Sequence, residues 1–278
     1  MRPMDAKFVR VPAVAGRFYP SNPDELARTV DEYLAPEPKA EELFAGAKAC
    51  LVPHAGYMYS GHVAGAVYRL LPAACAFVIL CPNHFGRGER LAIMTRGAWR
   101  TPLGDVSIDE ALAASIQRRC DFLVEDAGAH REEHSLEVQL PFLQRKMEKF
   151  RFVPIALGAA DYGVLDALGH AVAGALREFG KLAVVVASSD MNHYEPDGIT
   201  RQKDRKAVDK VLALDPKGLY EVIFRERISM CGFAPAVVTL TAIKALEARE
   251  AELVKYATSA DAGGDRRSVV GYAGVVIR

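Results

Sequence analysis

The stretch that decides the fold is A-C-L-V-P-H-A-G-Y-M-Y, residues 49–59. Its apolar run ends at Pro53, and His54 follows directly. The pattern recurs in F-V-I-L-C-P-N-H (77–84) and in L-A-V-V-V-A-S-S-D-M-N-H (182–193), each of which also ends in a histidine. The runs predict buried strands at 49–52, 77–81 and 182–187. Because ligands of open α/β sheets gather at the carboxyl ends of strands, the three histidines predict one shared site.

Strand and helix patterns alternate along most of the 278 residues, and no linker divides them. We therefore predict a single α/β domain over 1–278, with a mainly parallel or mixed central sheet flanked by helices. Ser60 is predicted to cap a helix between the first two strands, which makes that unit a right-handed parallel crossover. Asn22 and Pro23 predict the start of an N-terminal helix, and A-P-E-P (35–38) predicts the surface loop that ends it.

Three other segments carry weaker patterns. Residues 1–20 are rich in proline and glycine and predict an irregular lead-in. Trp99–Asp109 predicts a hairpin or loop before a helix that begins near Glu110. A long helix is predicted at roughly 235–251, followed by two late strands.

Composition favours a cytoplasmic protein. Lysine plus arginine and aspartate plus glutamate number 35 each, and this balance argues against nucleic acid or an anionic membrane as the dominant partner. No apolar run approaches the ~18 residues of a membrane-spanning helix, and the N-terminus lacks the apolar core of a signal peptide. Five cysteines without framework spacing fit a reducing interior.

Two histidines and one cysteine are the predicted metal ligands. His54 and His84 follow predicted strands, and Cys231 lies in the turn S-M-C-G (229–232). Two imidazoles and a thiolate suit iron, copper or zinc, and three protein ligands leave positions open for water or substrate. In the structural alternative, both histidines cap turns and Cys231 is an ordinary buried cysteine. Cys81 is a rival ligand, but its apolar run predicts core packing.

Asp190 and His193 form a candidate catalytic pair in S-S-D-M-N-H-Y (188–194). Asp190 would orient the ring and set its tautomer, and His193 would act as general base. The alternative is an Asp-x-x-His turn that caps the following helix. His134 and Glu137, three residues apart, would share one helix face, either as an acid/base pair or as support for the ligands. The charges around them alternatively predict a solvated face.

Common catalytic motifs are absent from the sequence. Ser188 and Ser189 precede Asp190, yet the chain has no G-x-S-x-G elbow of a serine hydrolase. It also has no G-x-x-x-x-G-K-[ST] phosphate loop, and F-G-R-G (85–88) is too short to indicate a nucleotide site.

The sequence resembles the Memo family, whose microbial members are called AmmeMemoRadiSam system protein B. The matching stretches run in order nearly from end to end of the chain. They are V-P-A-V-A-G-R-F-Y-P (11–20), V-P-H-A-G-Y-M-Y-S-G (52–61), P-N-H-F-G (82–86), T-P-L-G (101–104), E-H-S-L-E-V-Q-L-P-F-L (133–143), S-S-D-M-N-H-Y (188–194), S-M-C-G (229–232) and S-V-V-G-Y (268–272).

The resemblance implies a fold like that of the class III extradiol dioxygenases. In those enzymes two histidines and a glutamate bind iron(II), and a further histidine is the base. By position, His54 and His84 match the imidazole ligands, and Cys231 takes the place of the glutamate. His193 matches the base, with Asp190 beside it.

The cysteine is the departure from the dioxygenase pattern. A thiolate makes the site softer and shifts its preference toward copper(I) or zinc, or toward a differently tuned iron. Iron(II), the metal that the resemblance implies, is the first expectation, and copper or zinc are the alternatives. Ring-cleaving activity does not transfer with the fold. The resemblance also implies that His134 lines the same cleft, and it associates microbial members by name with AMMECR-type and radical-SAM partners.

Two functions are open at this point. The first is a metal-dependent oxidoreductase that acts on an unidentified small molecule, with His193 moving protons; zinc-dependent hydrolysis uses the same ligand set. The second is a non-catalytic module that holds a peptide or protein in the cleft. Its predicted anchors are the aromatic residues Tyr57, Tyr59, Phe85 and Tyr194.

Overall fold

A computed structural model describes residues 8–35 and 46–278. The helices are α1 (Pro23–Leu34), α2 (Tyr57–Tyr68), α3 (Glu110–Arg118), α4 (His134–Glu137), α5 (Leu140–Lys146), α6 (Tyr162–Phe179), α7 (Asp197–Leu212), α8 (Pro216–Arg225) and α9 (Phe233–Ala245). The strands are β1 (Val9–Arg10), β2 (Ala49–Val52), β3 (Ala76–Pro82), β4 (Leu91–Ile93), β5 (Ala98–Thr101), β6 (Gly104–Ser107), β7 (Val124–Glu125), β8 (Arg151–Leu157), β9 (Ala183–Ser188), β10 (His193–Glu195), β11 (Ala251–Thr258) and β12 (Val269–Ile277). A 3-10 turn spans Ser259–Ala262.

The main sheet is mixed and has a parallel centre. Its strand order is β10-β12-β2-β9-β3-β8-β4-β7, and β11 pairs with β12. Strands β2, β9, β3 and β8 are parallel neighbours, whereas β12 and β4 run antiparallel to β2 and β8. Helix α9 packs against β9 and β3, and α2 packs against β2 and β12. The predicted α/β domain with a mixed, helix-flanked sheet is confirmed.

The three apolar runs that end in histidines form the centre of this sheet, as β2, β3 and β9. Every residue of β2 and β3 is buried, as expected for strands covered on both faces. Strand β2 has the predicted bounds, and the other two lie within one residue of theirs. Because β2, β9 and β3 are adjacent and parallel, their carboxyl ends meet at one edge of the sheet.

Within the N-terminal segment, residues 8–20 are more regular than the predicted irregular lead-in, and residues 1–7 lie outside the described residues. Strand β1 pairs in parallel with β5, and β5 forms the predicted hairpin with β6, which makes a small separate sheet. Helix α1 begins as predicted, with Asn22 Oδ1 accepting the N–H of Glu25 at 3.0 Å. Of the loop predicted at 35–38, only Ala35 falls within the described residues.

Two predicted helix boundaries are wrong. Helix α2 begins at Tyr57 with Gly56 as its N-cap, and Ser60 lies inside it, donating its hydroxyl to Ala55 O at 3.1 Å. Helix α9 ends at Ala245 because Glu247 adopts a left-handed φ of 60°, which stops the helix before β11. None of the helices within 8–35 and 46–278 combines the length and apolar character needed to cross a bilayer.

Candidate metal centre

The predicted metal ligands converge at the carboxyl edge of the parallel strands. His54 lies two residues after β2, and His84 lies two residues after β3. Cys231 comes directly before Gly232, the N-cap of α9, a helix that packs on β9 and β3. The ligand atoms of His54, His84 and Cys231 all lie within 4.8 Å of one another.

This donor set fits one metal ion. His54 Nε2 is 3.2 Å from Cys231 Sγ. Nitrogen and sulfur ligands bound at about 2.1 and 2.3 Å in a tetrahedral site lie roughly 3.5 Å apart, so the spacing is close to that of a coordinated set. His54 is buried, Cys231 is half-buried, and the His84 side chain is 27% exposed. The three ligands would therefore leave one side of an ion open to the cleft.

Burial keeps His54 and Cys231 uncharged in the metal-free protein. It lowers the pKa of His54 well below its usual value, and the nearby His134 and His84 rings lower it further. Burial also raises the pKa of the Cys231 thiol, as does the neighbouring Asp190 carboxyl. A bound cation would displace the thiol proton, since metals coordinate the thiolate.

Glu133 is a site residue that the sequence reasoning missed. It is fully buried, and its carboxylate accepts the backbone N–H of His84 at 2.8 Å and approaches His84 Nδ1 at 2.9 Å. Ser135 also donates to it, from its N–H at 3.0 Å and its hydroxyl at 2.6 Å. Burial alone would raise the pKa of Glu133, but the bonds from His84 and Ser135 outweigh burial and lower it to about 2. The predicted solvated face is therefore wrong at this position.

His134 lines the cleft, as the resemblance implied. Its ring stacks on His84 at a centroid distance of 4.8 Å and meets the ring of Phe18 at 4.7 Å. Burial lowers the pKa of His134 to about 4, so the imidazole is neutral near pH 7. His134, His84 and Glu133 form a second group with metal-ligand spacing. Because the Glu133 carboxylate already accepts hydrogen bonds from His84 and Ser135, we assign it to supporting His84.

The predicted pairing of His134 with Glu137 is wrong. Glu137 is fully buried and serves the N-terminal segment. Its carboxylate pairs with the Arg10 guanidinium and accepts hydrogen bonds from the N–H groups of Ala13 and Val14 and from the Tyr19 hydroxyl. These bonds hold the segment that contains Phe18 in place. The Phe18 carbonyl in turn accepts the N–H of Tyr57 at 2.8 Å.

Asp190 and His193 both reach the cleft, but they do not form the predicted pair. Asp190 lies two residues after β9 and accepts the backbone N–H of His54 at 2.8 Å, so it holds the ligand loop. Burial raises the pKa of Asp190 to about 7. The ring of His193 is held by Ser229, because Nδ1 lies 2.8 Å from Ser229 O. A register shift in β10 between His193 and Glu195 turns the chain at this point.

The predicted metal ligands open onto a cleft of about 910 Å³. Of the predicted aromatic anchors, Tyr59 and Tyr194 line it. Tyr57 does not, since its ring is buried and its hydroxyl donates to Val138 O at 2.7 Å, and Phe85 is exposed outside the lining. Tyr194 is 78% exposed and has a φ of 61°, a conformation that residues other than glycine rarely adopt.

Cys81, the rival ligand, and two further histidines lie outside the candidate metal centre. Cys81 is fully buried within β3, as core packing predicted. His130 is buried, with Nδ1 2.9 Å from Asp126 O, and His170 is a surface residue near Asp166.

Similarity to known proteins extends over almost the whole chain. The family profile described as Memo-like protein matches residues 10–276. A MEMO1 family protein of Archaeoglobus fulgidus is 46% identical, over 97% of this chain and 100% of the relative. MEMO1 family proteins of Methanopyrus kandleri and Methanothermobacter thermautotrophicus are each 43% identical, over 97% and 95% of this chain and 99% of each relative.

Proposed function

This chain belongs to the Memo-like family, and from that premise and the site geometry we propose that it is a metal-dependent redox protein. One ion would be held by His54, His84 and Cys231, and the substrate would be a small molecule bound in the 910 Å³ cleft. The observation that supports this proposal is the convergence of the three ligand atoms within 4.8 Å at the carboxyl edge of the sheet.

The protein's own groups have defined tasks in this proposal. His193 lines the cleft, and its Nδ1 is engaged by Ser229 O, which leaves Nε2 as the proton acceptor. Burial lowers the pKa of His193, so the ring is neutral and ready to accept a proton near pH 7. Asp190 holds the backbone of His54, and His134 forms the wall beside His84. A bound iron or copper ion would supply one-electron chemistry and open coordination positions.

Iron(II) is our first choice of metal, with copper as the alternative for redox chemistry. Zinc has no redox chemistry and would fit the hydrolytic alternative instead. The two imidazoles suit all three ions, whereas the thiolate of Cys231 favours the softer copper(I) and zinc. The thiolate is also oxidisable, so purification without oxygen is needed to preserve the ligand set.

Elemental analysis after anaerobic purification tests the proposal. The wild type should carry about one redox metal ion per chain, and Cys231→Ala should lose it while keeping the helix content seen by circular dichroism. Cys120→Ala, which removes a buried cysteine outside the cleft lining, is the matched control and should keep the ion. A wild type that stays metal-free after reconstitution with iron and copper, or that takes up zinc alone, would overturn the proposal.

A second candidate function is a binding module that holds a peptide in the same cleft. The supporting observation is Tyr194, a large exposed aromatic residue kept in a strained backbone conformation at the cleft wall. The partners implied by family association, AMMECR-type and radical-SAM proteins, are the first to test. Binding that weakens in Tyr194→Ala but not in Phe224→Ala, an exposed aromatic residue outside the lining, would support this function.

A further inference from the structure

We propose that Ser188 and Glu133 fix the ring tautomers of His54 and His84, so that each neutral ring carries its hydrogen on Nδ1 and leaves Nε2 for the cleft before any ion binds. The purpose of this arrangement rests on the proposed metal function. The contacts that support it are independent of that function, because they are hydrogen bonds between the two rings and the donors and acceptors behind them.

Ser188 has three polar neighbours and only one proton. Its hydroxyl oxygen lies 2.6 Å from Ser135 O, 2.8 Å from Gln139 Nε2 and 2.9 Å from His54 Nδ1. Two oxygens 2.6 Å apart need a proton between them, and a carbonyl has none to give. The Ser188 proton therefore points at Ser135 O. The oxygen must then accept a proton from His54, which places hydrogen on Nδ1 and leaves Nε2 bare.

The orientation of Gln139 excludes the alternative arrangement, in which the amide oxygen of Gln139 accepts the Ser188 proton. Its Nε2 faces the carbonyl of Pro53 at 3.0 Å as well as Ser188, and its Oε1 accepts the hydroxyl of Tyr68 at 2.9 Å. A flipped amide would set its oxygen against the Pro53 carbonyl, so the nitrogen must stay on this side. Tyr68, Gln139 and Ser188 are all fully buried, and water does not compete for these bonds.

Glu133 acts on His84 in the same way. Its carboxylate can only accept, so the 2.9 Å contact with His84 Nδ1 requires a proton on that nitrogen. With Nδ1 engaged by Glu133, Nε2 is the nitrogen that remains for the group that His84 forms with His54 and Cys231. On the other ring, His54 Nε2 lies 3.2 Å from Cys231 Sγ, where it can accept the thiol proton.

Ser188 and Glu133 are positioning residues, since they act through the histidines. Fixed tautomers spare the protein a proton rearrangement when a cation arrives, and partners behind metal-bound histidines typically contribute roughly 10- to 100-fold in affinity. In the sequence, Ser188 stands out only as an unsupported candidate nucleophile. The geometry gives it a different task.

Imidazole ¹⁵N NMR of the metal-free wild type, at a mildly alkaline pH that keeps imidazoles neutral, tests the proposal directly. We expect His54 and His84 each to show a protonated Nδ1 and a bare Nε2. A proton on Nε2 of either ring would overturn the assignment for that ring, and this measurement needs no variant to fold.

Titration with Co²⁺ as the metal probe tests the consequence. Ser188→Ala should bind Co²⁺ roughly 10- to 100-fold more weakly and show a mixture of His54 tautomers, whereas Ser188→Thr, which keeps the hydroxyl, should restore both. Ser115→Ala, a buried serine bonded to Glu178, is the control for the loss of a buried hydroxyl and should bind as the wild type does. Equal Co²⁺ affinity and an unmixed tautomer in Ser188→Ala would overturn the role of Ser188.

The two proposals fail separately. The stated tautomers in a protein that binds no metal would sink the metal function and leave this inference standing. Opposite tautomers in a protein that holds its ion would sink this inference and leave the metal function standing.

Discussion

The backbone N–H of His193 donates to the hydroxyl of Ser229 at 2.8 Å, while the ring Nδ1 of His193 lies 2.8 Å from the Ser229 carbonyl. Ser229 is two residues before Cys231, and its N–H and hydroxyl both donate to Asn192 Oδ1 at 3.1 Å. The candidate base and the loop of the candidate ligand are therefore held by one residue. Changes in this loop should affect both.

Ser229→Ala should lower the free energy of unfolding by about 1 kcal/mol, because the N–H of His193 and one contact of Asn192 lose their hydroxyl partner. Urea denaturation measures the loss. Ser268→Ala, at an exposed serine of the same cleft, is the control and should change stability by less. Equal losses in the two variants would contradict the clamping role of Ser229.

Gly232→Ala should weaken binding of Co²⁺ without unfolding the protein. A Cβ at this position would lie 2.3 Å from Ser188 O and 2.4 Å from Ser189 Cβ, so the loop must move away from β9 and carry Cys231 with it. A Cβ added at Gly198 would meet open space, so Gly198→Ala is the matched control. Unchanged affinity in Gly232→Ala would show that the position of Cys231 is not set by this contact.

Glu137→Gln should destabilise the protein by roughly 3–5 kcal/mol, because it leaves the buried Arg10 guanidinium without its counter-charge. The side chains of this pair are 2% and 0% exposed. Glu132→Gln removes the corresponding charge from the surface pair with Arg87 and should cost less than about 1 kcal/mol. Guanidinium denaturation compares the two, and similar losses would contradict the structural role of Glu137.

Stability should fall as the pH drops from about 6.5 to about 4, in part because of His130. Burial lowers the pKa of this fully buried ring from 6.5 to about 4. Between those pH values His130 is protonated in the unfolded chain but stays neutral in the folded protein, so lowering the pH favours unfolding. For this group the loss of unfolding free energy is up to roughly 3 kcal/mol. His130→Phe should show a shallower decline of unfolding free energy across this range. An identical slope in the variant and the wild type would contradict this prediction.

Much of the fold could be predicted from sequence patterns that involve only residues close together in the chain. The residues at 49–52 form a short, uninterrupted apolar run that ends just before a proline. They form a buried strand with the predicted bounds. Asn22 caps its helix through a contact three residues away. The order of the N-terminal segment escapes such patterns because it depends on distant partners: Arg10 meets Glu137 across 127 positions, and β1 pairs with β5.

The candidate site likewise contains residues that could be predicted from the sequence and residues that could not. His54, His84 and Cys231 could be predicted because each residue type suits a metal and two of them stand at strand exits. Asp190 and His134 reach the site but contact other partners than those expected. Glu133 gave no local signal, since a glutamate within R-E-E-H predicts a solvated face unless the fold buries it.

By itself, the sequence determined the alternation of strands and helices, the carboxyl edge at which chemistry would lie, and the ligand types that gather there. Only the tertiary structure decided which groups stand behind those ligands. His54 meets Ser188 across 134 positions and His84 meets Glu133 across 49. The spacing of apolar residues and the residue preferences of turns extend over only a few positions, so they can be recognised in the sequence. A hydrogen bond between distant segments depends on strand order, register and burial, which are set only when the chain packs.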